Sequence, residues 1–145
     1  MKDVNCTLCF PADEDVLFAC HNYRVIAVGG DEGIQYRGFC RVVWNDHVRE
    51  MTDLNRASRD ILMQAVYVVE SALKASLHPD KINLASLGNM TPHLHWHVIP
   101  RYKHDVSFPN AIWTATNRTP VATLDDNNAW KEAVRASMIE ATKDT

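Results

Sequence analysis

Long apolar runs are missing from this sequence. None approaches the roughly 18 residues needed to cross a bilayer, so no membrane-spanning helix and no membrane partner are expected. A basic excess is missing as well: 15 Lys and Arg stand against 18 Asp and Glu, for a formal charge of -3. Broad attraction to nucleic-acid phosphates is therefore not expected, while a local site for a small anion stays compatible with the composition. Glycine and proline are scarce, at 5 and 6 in 145 residues, which leaves little room for a flexible linker, and repeats and low-complexity segments are absent. With 46% hydrophobic residues, the chain reads as one domain over residues 1–145. Met1-Lys2-Asp3-Val4-Asn5 lacks the basic-then-apolar pattern of a secretory signal, so the cytoplasm is the expected compartment. There the four cysteines, Cys6, Cys9, Cys20 and Cys40, are expected as thiols or metal ligands rather than disulfides.

The hydrophobic periodicity supplies the elements. Val16–Cys20 and Tyr23–Val28 are short β-rich runs around a His21-Asn22 turn, which predicts a hairpin. Gly29–Gly33 breaks the chain, and Gly38–Trp44 resumes a strand pattern. From Thr52 the period becomes helical: Leu54, Ile61, Leu62, Ala65, Val66, Val69, Ala72 and Leu73 fall mostly on one face, with Thr52 or Asp53 as cap and an end near Leu77-His78-Pro79. Lys81–Leu87 and His93–Ile99 read as two more strands, the second stopped by Pro100. Residues 101–128 form a long polar and aromatic connection of a length that usually carries function or closes over something. Ala129–Glu140 reads as an amphipathic helix. The expected fold is α+β: a mainly antiparallel five-stranded sheet with one long helix and a C-terminal helix.

His93, His95 and His97 alternate with Leu94, Trp96 and Val98. On a strand this puts three imidazoles on one side, about 6.6–7 Å apart along the backbone, and three apolar side chains on the core side. Imidazoles have poor strand propensity and little packing value, so three in register argue for chemistry. Two kinds of chemistry fit. Neutral imidazoles bind zinc, copper or iron, and an unprotonated ring nitrogen attacks phosphorus to give a covalent intermediate that water later opens. Spacing alone does not separate them.

The segment His93-Leu94-His95-Trp96-His97-Val98-Ile99 resembles the signature of the histidine triad family at every position, and Pro100-Arg101 continues it. Weaker likeness extends from Cys6-Thr7-Leu8-Cys9 through Gly38–His47 and the long helix. The resemblance implies a nucleotidyl hydrolase or transferase built as a symmetric homodimer, with the long helix as its expected surface. It implies a purine nucleotide as substrate, a nucleoside phosphoramidate or dinucleoside polyphosphate attacked at its α-phosphate. By the same resemblance His95 is the nucleophile, and His97 contacts the phosphate or leaving group and shares the charge that develops there. A backbone carbonyl holding the far nitrogen of His95 would leave the attacking nitrogen bare.

The resemblance also implies supporting residues. Asn89, and less directly Thr91, correspond to polar side chains that bind phosphate, although Gly88-Asn89 is also ordinary turn chemistry. Asp31 corresponds to a carboxylate that binds the ribose hydroxyls, and Val25, Ile26 and Val28 to part of a base pocket; both readings compete with a plain turn and a plain core. In one subgroup an N-terminal CxxC, a histidine at the place of His47 and the first triad histidine bind zinc, which implies a closed structural site of Cys6, Cys9, His47 and His93 and leaves His95 free. One departure is Phe39, which stands where many relatives place a further histidine, so a polar contact near the nucleophile is lost or supplied from elsewhere. Trp113 has two open roles, covering the substrate or packing on a partner subunit. His21, His78 and His104 have no partners in spacing and are expected in solvent. Besides the enzyme, two rivals stand: a nucleotide-binding or zinc-stabilised interaction module without chemistry, and metal-dependent chemistry at all three histidines.

Overall fold

A computed structural model describes residues 1–120 and 127–144. Five strands, β1 (Asp15–Ala19), β2 (Tyr23–Ala27), β3 (Cys40–Trp44), β4 (Lys81–Ala85) and β5 (His95–Arg101), form one sheet in the order β1-β2-β3-β5-β4, and every neighbouring pair is antiparallel. Three helices accompany it: α1 (Gly30–Gln35), α2 (Arg56–Leu77) and α3 (Ala129–Ala141). The expected α+β sheet and both long helices are present.

The ladder registers sort side chains into two faces. Val25, Val42 and Trp96 belong to one cross-strand row, as do Ala27, Cys40, Val98 and Leu84. These residues, with Leu17 and Ile82, join Leu62, Ala65, Val66, Val69, Ala72 and Leu73 of α2 and Trp130, Val134 and Met138 of α3 in the main core. Burying one such Leu or Val contributes about 1.5–3 kcal/mol, so this face anchors the sheet and frees the other for function. On the opposite face Ile26 pairs with Arg41, Arg41 with His97, and Val43 with His95. A smaller apolar cluster of Tyr36, Phe39, Ile99, Val106 and Ile112 closes one end of it.

Four local expectations are corrected. The cap of α2 is Asn55, whose Oδ1 accepts from the Ser58 N–H at 2.8 Å, while Thr52 and Asp53 sit in a preceding 3₁₀ turn (Met51–Asp53). Asp53 works there as a turn carboxylate, accepting from the Glu50 N–H at 2.9 Å. The segment Gly29–Gly33 contains the start of the six-residue α1 rather than an irregular break, with Gly30 at φ +66. The fourth strand ends at Ala85 rather than Leu87, because pairing with β5 stops at Ala85↔His97. Strand β5 begins at His95 rather than His93 and runs through Pro100 to Arg101. Pairing with β3 ends at Cys40↔Val98, so at Pro100 only β4 remains as a neighbour and the missing N–H disturbs one side of the ladder at most. The predicted helix stop is found at His78, which caps α2 in the left-handed conformation before Pro79. Within the connection of residues 101–128, positions 121–126 lie outside the described residues.

Candidate functional site

His95 and His97 face away from the main core, yet both are buried. Their rings meet edge to face with centroids 4.8 Å apart. The Nδ1–H of His95 donates to the backbone carbonyl of His93 at 2.6 Å, and Ser86 Oγ donates to the His95 carbonyl at 2.8 Å, which holds the residue from both ends. That assignment places the proton on Nδ1 and leaves Nε2 of His95 with a bare lone pair. His97 has the reverse arrangement. Its Nδ1 accepts from Arg41 Nε at 3.4 Å, so its proton sits on Nε2.

Electrostatics keep both rings neutral. Burial pushes the His97 pKa down, His95 and Arg41 add to the effect, and it reaches about 3. Burial likewise lowers His95; its bond to the His93 carbonyl opposes the shift and the Arg41 charge reinforces it. The pair thus offers one bare imidazole nitrogen beside one N–H donor, an arrangement chemically suited to nucleophilic attack beside a neutral donor to negative charge. Phe39 and Trp113 wall the pair: their rings stand edge-on to His97 at 5.6 and 5.0 Å, with Phe39 buried and Trp113 45% exposed. Phe39 packs on His97, and the side-chain polar contact of His97 comes from Arg41 of β3.

The row from His97 through Arg41 to Ile26 leads into a cleft of about 680 Å³ lined by Leu8, Ile26, Val28, Glu32, Arg41 and Lys131, among others. Ile26 and Val28 line this cleft, whereas Val25 is fully buried in the main core because it points to the helices. Asp31 is exposed on the first turn of α1, and the carboxylate of that helix that lines the cleft is Glu32. Asn89 is exposed and Thr91 half-buried in the connection between β4 and β5; the Thr91 carbonyl accepts from the His93 N–H at 2.8 Å.

The second cluster lies at the N-terminus. Cys6, Cys9, His47 and His93 bring four ligand atoms within 4.8 Å of one another. His93 Nδ1 is 3.4 Å from both sulfurs and 3.3 Å from His47 Nδ1, which in turn is 3.4 Å from Cys9 Sγ. For zinc at its usual bond lengths to nitrogen and sulfur, the edges of a tetrahedron are about 3.3–3.8 Å, so the geometry fits a closed Cys₂His₂ site. The outer contacts fit too. His93 Nε2 donates to the Trp44 carbonyl at 2.6 Å, which leaves Nδ1 as the ligand atom, and the Asp3 N–H donates to Cys9 Sγ at 3.4 Å. Arg24 holds this segment to β2 through a two-pronged pair with Glu14, both bonds 2.7 Å, and a bond to the Leu8 carbonyl. Among the described residues no other cluster offers three metal ligands, so His95 and His97 belong to none.

Arg41, Glu32 and Ser86 carry no motif in the sequence, and the role of the buried Arg101, which follows the triad signature, is visible only in the fold. Arg101 pairs through two nitrogens with Asp105 at 2.8 and 3.0 Å and bonds Asn83, Ser107 and the Asn110 carbonyl, which organises the connection that carries Trp113. The alternation of Arg41 with Cys40 and Val42 was the available signal for the first of these: it faces the same side as the histidines. His21, His78 and His104 are exposed as expected, the last stacked on Tyr102.

Comparison with known proteins agrees with this geometry. The HIT domain family matches residues 20–104, more than half of the chain. A search of curated protein sequences gives no match. Among solved structures, a histidine triad protein from Bradyrhizobium japonicum is 26% identical with a TM-score of 0.70, the match covering 86% of this chain and 90% of that one. A histidine triad protein from Marinobacter aquaeolei is 22% identical over 92% and 91% of the two chains, with a TM-score of 0.67. A zinc-bound histidine triad protein from Mycobacterium smegmatis is 21% identical over 97% and 98%, with a TM-score of 0.64. The chain belongs to the histidine triad (HIT) family, a family of nucleotide-binding proteins that includes hydrolases and transferases.

Proposed function

We propose that the protein is a nucleotidyl hydrolase or transferase that cleaves nucleoside phosphoramidates or dinucleoside polyphosphates at the α-phosphate through a nucleotidyl-histidine intermediate on His95. The observation that carries this reading is the 2.6 Å bond from His95 Nδ1 to the His93 carbonyl, which leaves Nε2 of this buried ring unprotonated. In the first step Nε2 of His95 bonds to the α-phosphorus as the bond to the leaving group breaks, and the leaving group takes its proton from solvent. His97 donates its Nε2–H to the phosphate or leaving group without giving the proton up, since its lowered pKa favours neutral imidazole. Water then attacks phosphorus, the N–P bond breaks back to His95, and the proton of the water returns to solvent.

Around this centre, Ile26 and Val28 suit the nucleoside end of a purine nucleotide, and Asn89, Thr91 and Asp31 are proposed to close on phosphate and ribose once substrate is bound. Zinc in the site of Cys6, Cys9, His47 and His93 would tie the N-terminal segment to His93 as a structural ion, away from the reacting atoms; the zinc-bound relative supports this. We read residues 1–145 as one domain, supported by a core that runs from Leu17 to Met138. A homodimer along α2 is supported by the exposed Ile61 and Tyr67 on that helix. Among the described residues no helix is long and apolar enough to cross a membrane, and a cytoplasmic setting suits four free thiols.

Rapid quench of the protein with adenosine phosphoramidate or diadenosine polyphosphate into alkaline denaturant, in which a phosphorus–imidazole bond survives, tests the reading. Intact-mass analysis should find a nucleotidyl adduct on His95. Saturable nucleotide binding with neither adduct nor product would replace the enzyme with a binding module.

A further inference from the structure

Arg41 is shared between the histidine pair and the cleft. It stands directly opposite His97 in the ladder, and its Nε donates to His97 Nδ1 at 3.4 Å. The guanidinium carbon lies 5.5 Å from the centre of the Phe39 ring, so one flank of the group is covered by an aromatic surface. The terminal nitrogens are in a different situation. Among the described residues they make no hydrogen bond, and the nearest carboxylate oxygen, Oε2 of Glu32, is 3.9 Å from one of them, beyond hydrogen-bond reach. Only 27% of the Arg41 side chain is exposed, and the same residue lines the cleft.

A guanidinium this far out of water is costly unless its donors are met, and a half-exposed glutamate at long range meets them poorly. An anion with two oxygens in one plane, such as a phosphate, fits the fork far better. The position beside His97 fixes which phosphate that is. We propose that Arg41 is a specificity-determining residue of this site: its terminal nitrogens hold the α-phosphate of a bound nucleotide while its Nε orients His97, and Glu32 is the internal carboxylate that the phosphate displaces. The assignment rests on the nucleotidyl-transfer reading above for the identity of the phosphate. It also gives Phe39 a purpose, since an aromatic ring there backs the guanidinium instead of contacting the nucleotide.

Calorimetry with adenosine 5′-monophosphate and adenosine, on wild type, Arg41→Met, Arg41→Lys and Glu32→Gln, tests the assignment. A charge-assisted phosphate contact predicts that wild type binds the monophosphate at least about tenfold more tightly than adenosine. Arg41→Met should erase most of that gap while leaving adenosine affinity unchanged, and Glu32→Gln should widen it. Arg41→Lys should keep part of the gap but lose kcat on adenosine phosphoramidate, because one ammonium cannot serve both the phosphate and His97. Nitrogen-15 spectra should show the wild-type proton of His97 on Nε2 and a mixture of tautomers in Arg41→Met.

An unchanged gap in Arg41→Met, or a narrower one in Glu32→Gln, overturns the assignment. If Arg41→Met does not fold, Arg41→Lys and Glu32→Gln decide: an unaltered kcat in the first or an unwidened gap in the second overturns it. Failure of the underlying reading looks different, because the monophosphate gap and its loss in Arg41→Met would appear without any turnover by wild type. Wild type that binds no monophosphate sinks both.

Discussion

The backbone carbonyl of His93 holds the imidazole of His95 at 2.6 Å, while the His93 side chain faces the sulfurs of Cys6 and Cys9 at 3.4 Å. One residue therefore connects the candidate metal site to the candidate nucleophile, through its side chain on one side and its main chain on the other. The two sites are distinct in chemistry and coupled in position.

That coupling predicts a graded response to loss of the metal. Cys9→Ser should abolish bound zinc, measured by native mass spectrometry at one ion per chain in wild type. Loss of about 2–3 kcal/mol should lower Tm by roughly 5–12 °C in a domain of this size. Turnover should fall without vanishing, since His93, whose carbonyl holds the His95 ring, would be a ligand of the ion and His95 would not. A variant that keeps wild-type Tm and a wild type without metal would show that the cluster is only a packed thiol and imidazole pocket.

The two histidines of the site should respond differently to truncation. His95→Ala removes the attacking atom, and kcat should fall by about 10³-fold or more. His97→Ala removes a hydrogen-bond donor to developing charge, and a loss on the order of 10²–10³-fold is expected, with the adduct on His95 still formed. Steady-state rates with adenosine phosphoramidate, beside urea midpoints to exclude unfolding, read the difference. Equal residual activity in the two variants would contradict the assigned roles.

Acid should destabilise the fold in a window set by His97. Its pKa is about 3 in the fold, against 6.5 for the ordinary side chain. Between those values the unfolded chain binds a proton that the native chain does not, so stability falls as pH falls and is fully restored above about 6.5. Urea midpoints measured from about pH 7 to about pH 4 should decline, and His97→Asn should flatten part of the slope. A variant with the same slope as wild type would remove His97 as its source.

Asp105→Ala should be among the most damaging changes away from the site. Burial pushes the Asp105 carboxyl up, but its bonds to Arg101 and to the N–H groups of Ser107, Tyr102 and Phe108 outweigh this and hold it below the usual carboxylate range. Removing it strands a guanidinium that is 1% exposed, at an expected cost of about 3–5 kcal/mol by urea unfolding. Asp105→Asn should cost less, because it keeps acceptor geometry for part of the network. A loss under about 1 kcal/mol in the alanine variant would mean that Arg101 finds other partners.

Periodicity alone determined a good deal of this molecule. The alternation from Leu94 to Val98 and the helical spacing from Leu62 to Leu73 specify which faces are buried, because burial of apolar area is local information repeated at the period of the element. The histidine spacing likewise picked out the strand that carries the site. Tertiary structure decided what each polar residue does. His93 lies two residues before β5, with its ring directed to Cys6 and Cys9, and Asn55 rather than Thr52 or Asp53 caps α2. Arg41 became part of the site only because β3 lies beside β5 in a register that sets it opposite His97, more than fifty positions away in sequence. Hydrogen bonds and charge pairs are directional and satisfied across chain-distant partners, so their assignment waits on the register and packing of the sheet, whereas the apolar pattern that builds the sheet is written along the chain itself.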